Sequence, residues 1–209
     1  MIVAFLHVGT DTRLPTKMVE HVRRVMPQHQ VLHMTDSETP AIEGVSRRQE
    51  IPYDGSRLMT YRLQHLAELA EPAIILDTDV IVQADLSAVF DKDFDVALTK
   101  RKGRILYGGR DIVKSMPINS GVMFSRSQQF WVDCYELCKK APQDIQRWFG
   151  DQLAISAVYK GGRYSVLELP CSKFNYTPAT QDEDVSAKFA VHYKGPRKEW
   201  MLARPIADR

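Results

Sequence analysis

The sequence predicts an α/β fold, a sandwich of helices around a largely parallel central sheet. Strand-like and helix-like segments alternate through the first half of the chain, as in repeated strand–helix–strand units. The first strand, helix and second strand fit within about 35 residues, the length of one such unit. The run 73–76 is short and wholly apolar, which is typical of a parallel strand covered on both faces.

Apolar spacing, prolines and turn formers assign the individual elements. Strands are predicted at 2–8, 31–34, 73–76, 94–99, 121–124, 166–169 and 189–193, and helices at 15–27, 56–70, 85–90, 127–139 and 151–158. The polar segments 35–56 and 101–117 are predicted as long loops, and such loops in compact domains are usually functional or mobile. With no internal repeat and no linker, we expect one domain over residues 1–209.

Composition excludes several classes of protein. The chain carries 28 Lys and Arg residues against 26 Asp and Glu, so its formal net charge of +2 indicates neither a nucleic-acid nor a membrane-surface partner. No apolar run reaches the ~18 to 20 residues that span a bilayer, and residues 1–8 lack the basic flank and cleavage site of a signal peptide. We therefore expect a cytoplasmic protein without a transmembrane segment.

The most informative feature is a pair of carboxylates, Asp77 and Asp79, at the end of the apolar strand 73–76. Ligands of open α/β sheets bind beyond the carboxyl ends of strands, and residues i and i+2 of an extended chain point the same way. Two anions held together cost free energy unless a cation or a proton lies between them, and among cations carboxylate oxygens suit Mg²⁺ or Mn²⁺. The pair therefore predicts a metal site that could neutralise a diphosphate.

The same pair allows a second interpretation. An apolar strand followed by Asp77-Thr78-Asp79 is similar to the nucleophile motif of haloacid-dehalogenase-like phosphatases, in which the first Asp attacks phosphorus. That motif normally follows the first strand of its fold, whereas two predicted strands precede it here. The late acidic cluster 182–184 does not follow an apolar strand, so the phosphatase is the weaker alternative.

Several segments in order along the chain resemble glycosyltransferase family 8, which contains glycogenin and bacterial lipopolysaccharide galactosyl- and glucosyltransferases. They are Tyr61-Arg62-Leu63, Ile74-Ile-Leu-Asp77-Thr-Asp79-Val-Ile-Val82, Asp85-Leu86-Ser87-Ala-Val-Phe90, Asn119-Ser120-Gly121-Val122-Met123, Gly150-Asp151-Gln152 and His192-Tyr-Lys-Gly195-Pro-Arg-Lys198-Glu-Trp200. Glu199 departs from the pattern, because the family usually has Pro there. The chain is also shorter than many members, which leaves the acceptor class more open than the donor chemistry.

The resemblance implies a GT-A fold with a mostly parallel, mixed sheet, and a metal-dependent retaining transfer of a hexose from a UDP-sugar. It assigns Mn²⁺, with Mg²⁺ as the alternative, to Asp77, Asp79 and His192, and the reaction centre to Asp151 and Gln152. Residues 1–100 would bind the nucleotide and 101–209 the donor sugar and acceptor. The remaining implied donor-binding residues are Val8, Gly9, Thr10, Asp11, Arg62, Thr78, Asn119, Ser120, Gly195 and Lys198.

Elementary chemistry is compatible with these roles but leaves alternatives open. Lys198 offers charge to a diphosphate and Gly195 lets a backbone approach it closely, although Lys198 also belongs to a basic surface run. Asp151 could equally be a carboxylate favoured at a helix N-terminus. The acceptor, whether glycan, lipid-linked saccharide or protein, is not indicated. A domain that binds a nucleotide or glycan without catalysis is a further alternative.

Overall fold

A computed structural model of the chain describes residues 1–205. The strands are β1 (Ile2–Leu6), β2 (Gln30–Thr35), β3 (Arg47–Glu50), β4 (Ala73–Leu76), β5 (Val80–Val82), β6 (Val96–Lys100), β7 (Leu106–Tyr107), β8 (Arg110–Asp111), β9 (Ile118–Ser125), β10 (Val166–Pro170) and β11 (Ala190–His192). The α-helices are α1 (Arg13–Val25), α2 (Leu58–Ala67), α3 (Ile112–Ser115), α4 (Gln128–Cys138), α5 (Gln143–Arg147), α6 (Gly150–Lys160), α7 (Cys171–Phe174) and α8 (Lys198–Ala203). Short 3₁₀ turns lie at Gly55–Arg57, Ser87–Asp91 and Gly195–Arg197.

Seven strands form the central sheet in the order β10-β6-β9-β4-β1-β2-β3. All neighbours pair in parallel except β9, which runs antiparallel to both β4 and β6. The predicted sheet, mostly parallel but mixed, is therefore confirmed. A second sheet of two antiparallel strands, β5 and β11, lies beside it, and its register places His192 opposite Val80.

Alternating side chains of the central strands pack into two separate apolar layers. In β1, Val3 and Phe5 join the layer that contains α1 and the small sheet, whereas Ile2 and Ala4 face the layer of α2, α4 and α6. A strand buried on both faces has apolar residues at every position, which explains the unbroken apolar run of β4. Burial on both faces thus gives the αβα sandwich that the sequence predicts.

The two predicted long loops contain short elements that the sequence pattern did not reveal. Segment 35–56 includes the edge strand β3, whose Arg-Arg-Gln-Glu sequence has no apolar residue because neither face of this edge is fully buried. Segment 101–117 includes the hairpin β7–β8 and the single-turn helix α3. Helices α5, α7 and α8, of four to six residues, were also not predicted, because such lengths carry too little periodicity.

The topology brings three chain segments together at one end of β4. Strand β9 runs beside β4, and the Asp77 amide donates to the Gly121 carbonyl at 2.9 Å. The amide of Tyr193, which follows β11, donates to the Asp79 carbonyl at 2.8 Å. Within residues 1–205, no helix is long and apolar enough to cross a bilayer.

Candidate active site

Asp77, Asp79 and His192 converge where β4 ends. One potential ligand atom from each lies within 4.8 Å of the other two. His192 Nε2 is 2.9 Å from Asp79 Oδ1 and 3.6 Å from Asp77 Oδ2. His192 is more than 110 residues away from the carboxylates in the sequence, and the antiparallel pairing of β5 with β11 brings it beside them. The structure thus assembles the three predicted metal ligands.

The His192 ring is oriented by an amide. Its Nδ1 lies 2.8 Å from Asn175 Oδ1, and the Asn175 amide nitrogen donates to Thr99 Oγ1 at 2.7 Å and to the Asn119 carbonyl at 3.1 Å. These donations identify Asn175 Oδ1 as the acceptor, so His192 carries its proton on Nδ1. Nε2 is therefore the ring nitrogen that faces the two carboxylates, and it is the one that would bind a metal ion.

Gly121 provides the space for that ring. A Cβ atom built on Gly121 would overlap Nδ1 and Cε1 of His192. The glycine is therefore required on β9 by close packing rather than by an unusual backbone angle. Neither Gly121 nor Asn175 was predicted as a site residue, although Gly121 lies inside one of the segments that resemble the family.

Two cations partly balance the carboxylates. Arg62, buried on α2, donates to Asp77 Oδ1 at 2.6 Å and to Asp151 Oδ2 at 2.7 Å. Lys198 Nζ lies 3.5 Å from Asp79 Oδ2. Three carboxylates thus face two permanent cations, and the shortfall of positive charge lies between Asp77 and Asp79.

The pKa values of Asp77 and Asp79 shift in opposite directions. Burial raises the pKa of Asp77, although Arg62 and His192 oppose that shift. Burial also acts on Asp79, but the nearby His192, through its charge and its hydrogen bond, and Lys198 outweigh it and lower the pKa of Asp79. A divalent ion between the carboxylates would favour the ionised form of both.

The donor set fits a hard divalent cation. Two carboxylates and one imidazole whose Nε2 faces them suit Mn²⁺ or Mg²⁺, and the remaining positions would be open to phosphate oxygens or water. The observation that supports this fit is the orientation of the His192 ring, which Asn175 holds with Nε2 toward both carboxylates. Asp77, Asp79 and His192 would hold the ion.

Asp77 and Asp79 line a cleft of about 340 Å³, whereas the buried His192 contacts them without lining it. Nine of the predicted site residues line it, namely Val8, Arg62, Asp77, Thr78, Asp79, Ser120, Asp151, Gln152 and Lys198. His7, Trp148 and Phe149 line it without having been predicted. Trp148 is 57% exposed, and Phe149 has a left-handed backbone with φ of 69° directly before α6. Such conformations in residues other than glycine concentrate at functional sites.

The predicted reaction-centre residues lie at the start of α6. Asp151 is 1% exposed, and its Oδ1 accepts from the Gln152 amide at 2.7 Å while Oδ2 accepts from Arg62. Gln152 Oε1 accepts from Arg101 at 2.6 Å. Both side chains are thus fixed by hydrogen bonds, and Arg101 is a further residue at the site that was not predicted.

Other predicted residues lie outside the lining of the cleft. Gly9, Thr10 and Asp11 continue the chain from Val8, and the Asp11 carboxylate pairs with Arg13 at 2.7 Å on the surface. Gly195 is exposed with φ of 59°, three residues before Lys198. Asn119 is buried and lines a different pocket, described below.

The folded chain is similar to solved glycosyltransferase structures at low sequence identity. A glycosyltransferase involved in glycosylation of the major capsid of PBCV-1 gives a TM-score of 0.67 at 16% identity, covering 96% of this chain and 98% of that one. The galactosyltransferase LgtC gives 0.61 at 14% identity, covering 94% and 88%. GlyE of Streptococcus pneumoniae TIGR4 gives 0.63 at 14% identity, covering 98% and 60%.

No protein-family model and no curated protein sequence matches the chain. The structural likeness establishes the fold, because proteins at this level of identity share architecture without necessarily sharing activity. The GT-A-type fold that the sequence resemblance implies is confirmed.

Proposed function

We propose that this protein is a metal-dependent retaining glycosyltransferase of family 8 that transfers a hexose from a UDP-sugar to an acceptor hydroxyl. The observation that carries the proposal is the convergence of Asp77, Asp79 and His192 Nε2 beside the cleft that the two carboxylates line together with Lys198. A bound Mn²⁺ or Mg²⁺ supplies positive charge for the diphosphate of the donor. The single-domain organisation and the division near residue 100 belong to the same proposal.

The residues around the cleft have separate roles in this reaction. Lys198 stabilises negative charge on the departing diphosphate, and Val8 with the residues that follow it contacts the nucleoside. The acceptor oxygen bonds to the anomeric carbon on the face from which UDP departs. The carbon–oxygen bond to the diphosphate breaks, its electron pair leaves with UDP, and the acceptor proton passes to the departing phosphate oxygen. The stereochemistry at the anomeric carbon is retained.

Asp151 and Gln152 act at the anomeric carbon in this scheme. Both oxygens of Asp151 accept hydrogen bonds, one from Arg62 and one from a backbone amide. A carboxylate held in this way is a poor nucleophile, which favours electrostatic stabilisation of the positively charged transition state over a covalent intermediate. Gln152, fixed by Arg101, presents its side chain to the same part of the cleft.

The phosphatase alternative fits the geometry less well. Its nucleophile would be Asp77, yet Asp77 Oδ1 accepts from Arg62 at 2.6 Å and Oδ2 lies 3.6 Å from His192. An attacking carboxylate oxygen requires a free approach to phosphorus. The structural neighbours are also glycosyltransferases.

The test is calorimetric titration of UDP into the protein with Mn²⁺ and then with EDTA. We expect binding that requires the ion and that Asp79→Ala abolishes, because the variant removes one ligand and the partner of Lys198. Asp91→Ala, which removes a carboxylate outside the cleft, is the matched control and should bind UDP normally.

Binding of UDP that persists in EDTA, or in Asp79→Ala, would contradict the donor site. Hydrolysis of UDP-sugars without acceptor then separates an enzyme from a non-catalytic binding domain. A protein that binds UDP with Mn²⁺ but never releases the sugar from any UDP-sugar would support the non-catalytic alternative.

A further inference from the structure

A second pocket, of about 260 Å³, lies behind the reaction centre and has a different chemical character. Four cations and two neutral amides are among its lining residues, namely Lys100, Arg101, Lys102, Lys194, Asn119 and Asn175. Among its lining residues in the described part of the chain there is no Asp or Glu. We call it the basic pocket.

The basic pocket and the cleft share a wall. Arg101, in the pocket, donates to Gln152, in the cleft, at 2.6 Å. Asn175 bonds to the metal-facing His192 at 2.8 Å, and Asn119 is the chain neighbour of the cleft residue Ser120. A molecule in the basic pocket would therefore be next to the groups that surround the donor sugar.

The positive charge of this pocket is not neutralised locally. Within residues 1–205, neither the Lys194 ammonium nor the Lys102 ammonium makes a hydrogen bond or an ion pair, and Lys194 is half-buried. Arg101 donates only to neutral groups, namely the carbonyls of Met116 and Ile118 and the Gln152 amide. Lys100 is the exception, because it pairs with Glu168 at 2.8 Å.

The carboxylates that attract these cations line the cleft, on the other side of the shared wall. Asp77 and Asp79 attract the Lys194 ammonium, and Asp151 attracts the Arg101 guanidinium. In the proposed donor complex those carboxylates are engaged by the metal ion and by Arg62. Half-buried cations without partners are costly unless a ligand supplies the opposite charge.

We propose that the basic pocket binds a carboxylate or phosphate group on the acceptor, so that the enzyme glycosylates an anionic saccharide. This inference rests on the proposed transferase function and specifies its acceptor class. Lys194, Lys102 and Arg101 bind the anionic group, and the uncharged part of the lining contacts the sugar. An anion held there places a hydroxyl of the same sugar toward Gln152 and the donor.

The test compares matched sugars on the intact protein with UDP and Mg²⁺ present. Methyl glucuronide and glucose 6-phosphate are the charged probes, methyl glucoside is the neutral one, and calorimetry gives the dissociation constants. We expect at least one charged probe to bind about tenfold or more tightly than the neutral sugar, and its affinity to fall with added NaCl. The better of the two charged probes identifies the anionic group.

Two variants test the residues. Lys194→Gln and Lys102→Gln should each reduce the preference for the charged sugar, Lys194→Gln bringing it close to one. Lys92→Gln, which removes an exposed lysine that lines neither pocket, is the control and should keep the preference. Thermal unfolding of each variant checks its folding, and Lys102, being exposed, provides a test even if Lys194→Gln is unstable.

The outcomes separate the two proposals. Equal affinity for charged and neutral sugars, or binding of neither, overturns the anionic acceptor, and the transferase assignment stands if UDP still binds with Mn²⁺. Loss of metal-dependent UDP binding in the unaltered protein overturns the transferase assignment itself. A preference that survives both lysine variants contradicts the assignment to the basic pocket.

Discussion

The cleft and the basic pocket share a wall, but the unpaired charge is negative in the cleft and positive in the basic pocket. In the cleft, three carboxylates and two cations are linked directly, and the remaining negative charge is directed at a single point between Asp77 and Asp79. In the basic pocket, Lys102 and Lys194 have no anionic partner among the described residues. The unpaired charge of each pocket indicates its ligand. The negative charge of the cleft fits a metal ion with a diphosphate, and the positive charge of the basic pocket fits an anion.

The largest effect is expected when charge is removed at the proposed reaction centre. Asp151→Asn leaves the candidate metal ligands unchanged but takes away the carboxylate that pairs with Arg62 and that, in the proposed reaction, faces the anomeric carbon. We expect kcat to fall by about 10²-fold or more while the dissociation constant of UDP changes little. Steady-state kinetics and calorimetry measure the two quantities.

Asp144→Asn, on the neighbouring helix α5, is the matched control, because this exposed aspartate lies outside both pockets. If Asp151→Asn weakens UDP binding and leaves kcat intact, Asp151 is a binding residue and the proposed reaction centre is wrong. Thermal unfolding must accompany both measurements, since Asp151 is buried in an ion pair.

The shared wall can be altered without changing any charge. Gly121→Ala adds a methyl group where the His192 ring lies, so the ring must move away from the carboxylates. We expect the affinity for Mn²⁺ to fall by about 10²-fold. Asn175→Ala leaves the ring in place and removes its hydrogen bond, so the fall should be smaller, about tenfold.

Mn²⁺ titration followed by electron paramagnetic resonance gives these affinities directly, without turnover. Gly161→Ala, at the far end of α6, is the control and should bind Mn²⁺ normally. Equal affinities in Gly121→Ala and the unaltered protein would show that His192 is not a ligand.

The smallest expected effect concerns the fold beneath the cleft. Burial lowers the pKa of His65 to about 4 from the ordinary 6.5, and within residues 1–205 neither of its ring nitrogens has a hydrogen-bond partner. The unfolded chain therefore binds a proton on this side chain more readily than the folded chain between pH 6.5 and 4. The contribution of the neutral His65 side chain to the free energy of unfolding is therefore fully present above pH 6.5 and is lost as the pH falls toward 4.

For His65 alone, the free energy of unfolding should fall by about 1 kcal/mol between pH 6.5 and 5.5. Urea unfolding at the two pH values measures it, and His65→Leu should remove that part of the pH dependence because the ring has no hydrogen bond to lose. An identical pH dependence in both proteins would contradict this assignment. The comparison also separates loss of fold from loss of metal binding when UDP affinity is measured in acid.

Sequence reasoning predicted those parts of the site that are encoded in short contiguous patterns. Asp77 and Asp79 follow an unbroken apolar strand, and that pattern locates them at the carboxyl end of β4. His192 needed the family resemblance, because an isolated histidine before a basic run gives no local signal. Asn175 could not be found in either way, since its role depends on a hydrogen bond to a residue 17 positions later and on contacts with β6 and β9.

The sequence by itself determined the αβα architecture, because the spacing of apolar residues along a strand shows whether one face or both faces are buried. It also located the carboxylate pair and, by resemblance, predicted His192 on β11 as the third candidate ligand. Only the tertiary structure decided the orientation of the His192 ring, the need for Gly121 and the unpaired charge of the basic pocket. Those features arise from contacts between residues far apart in the chain, and no local pattern records which distant side chains will meet.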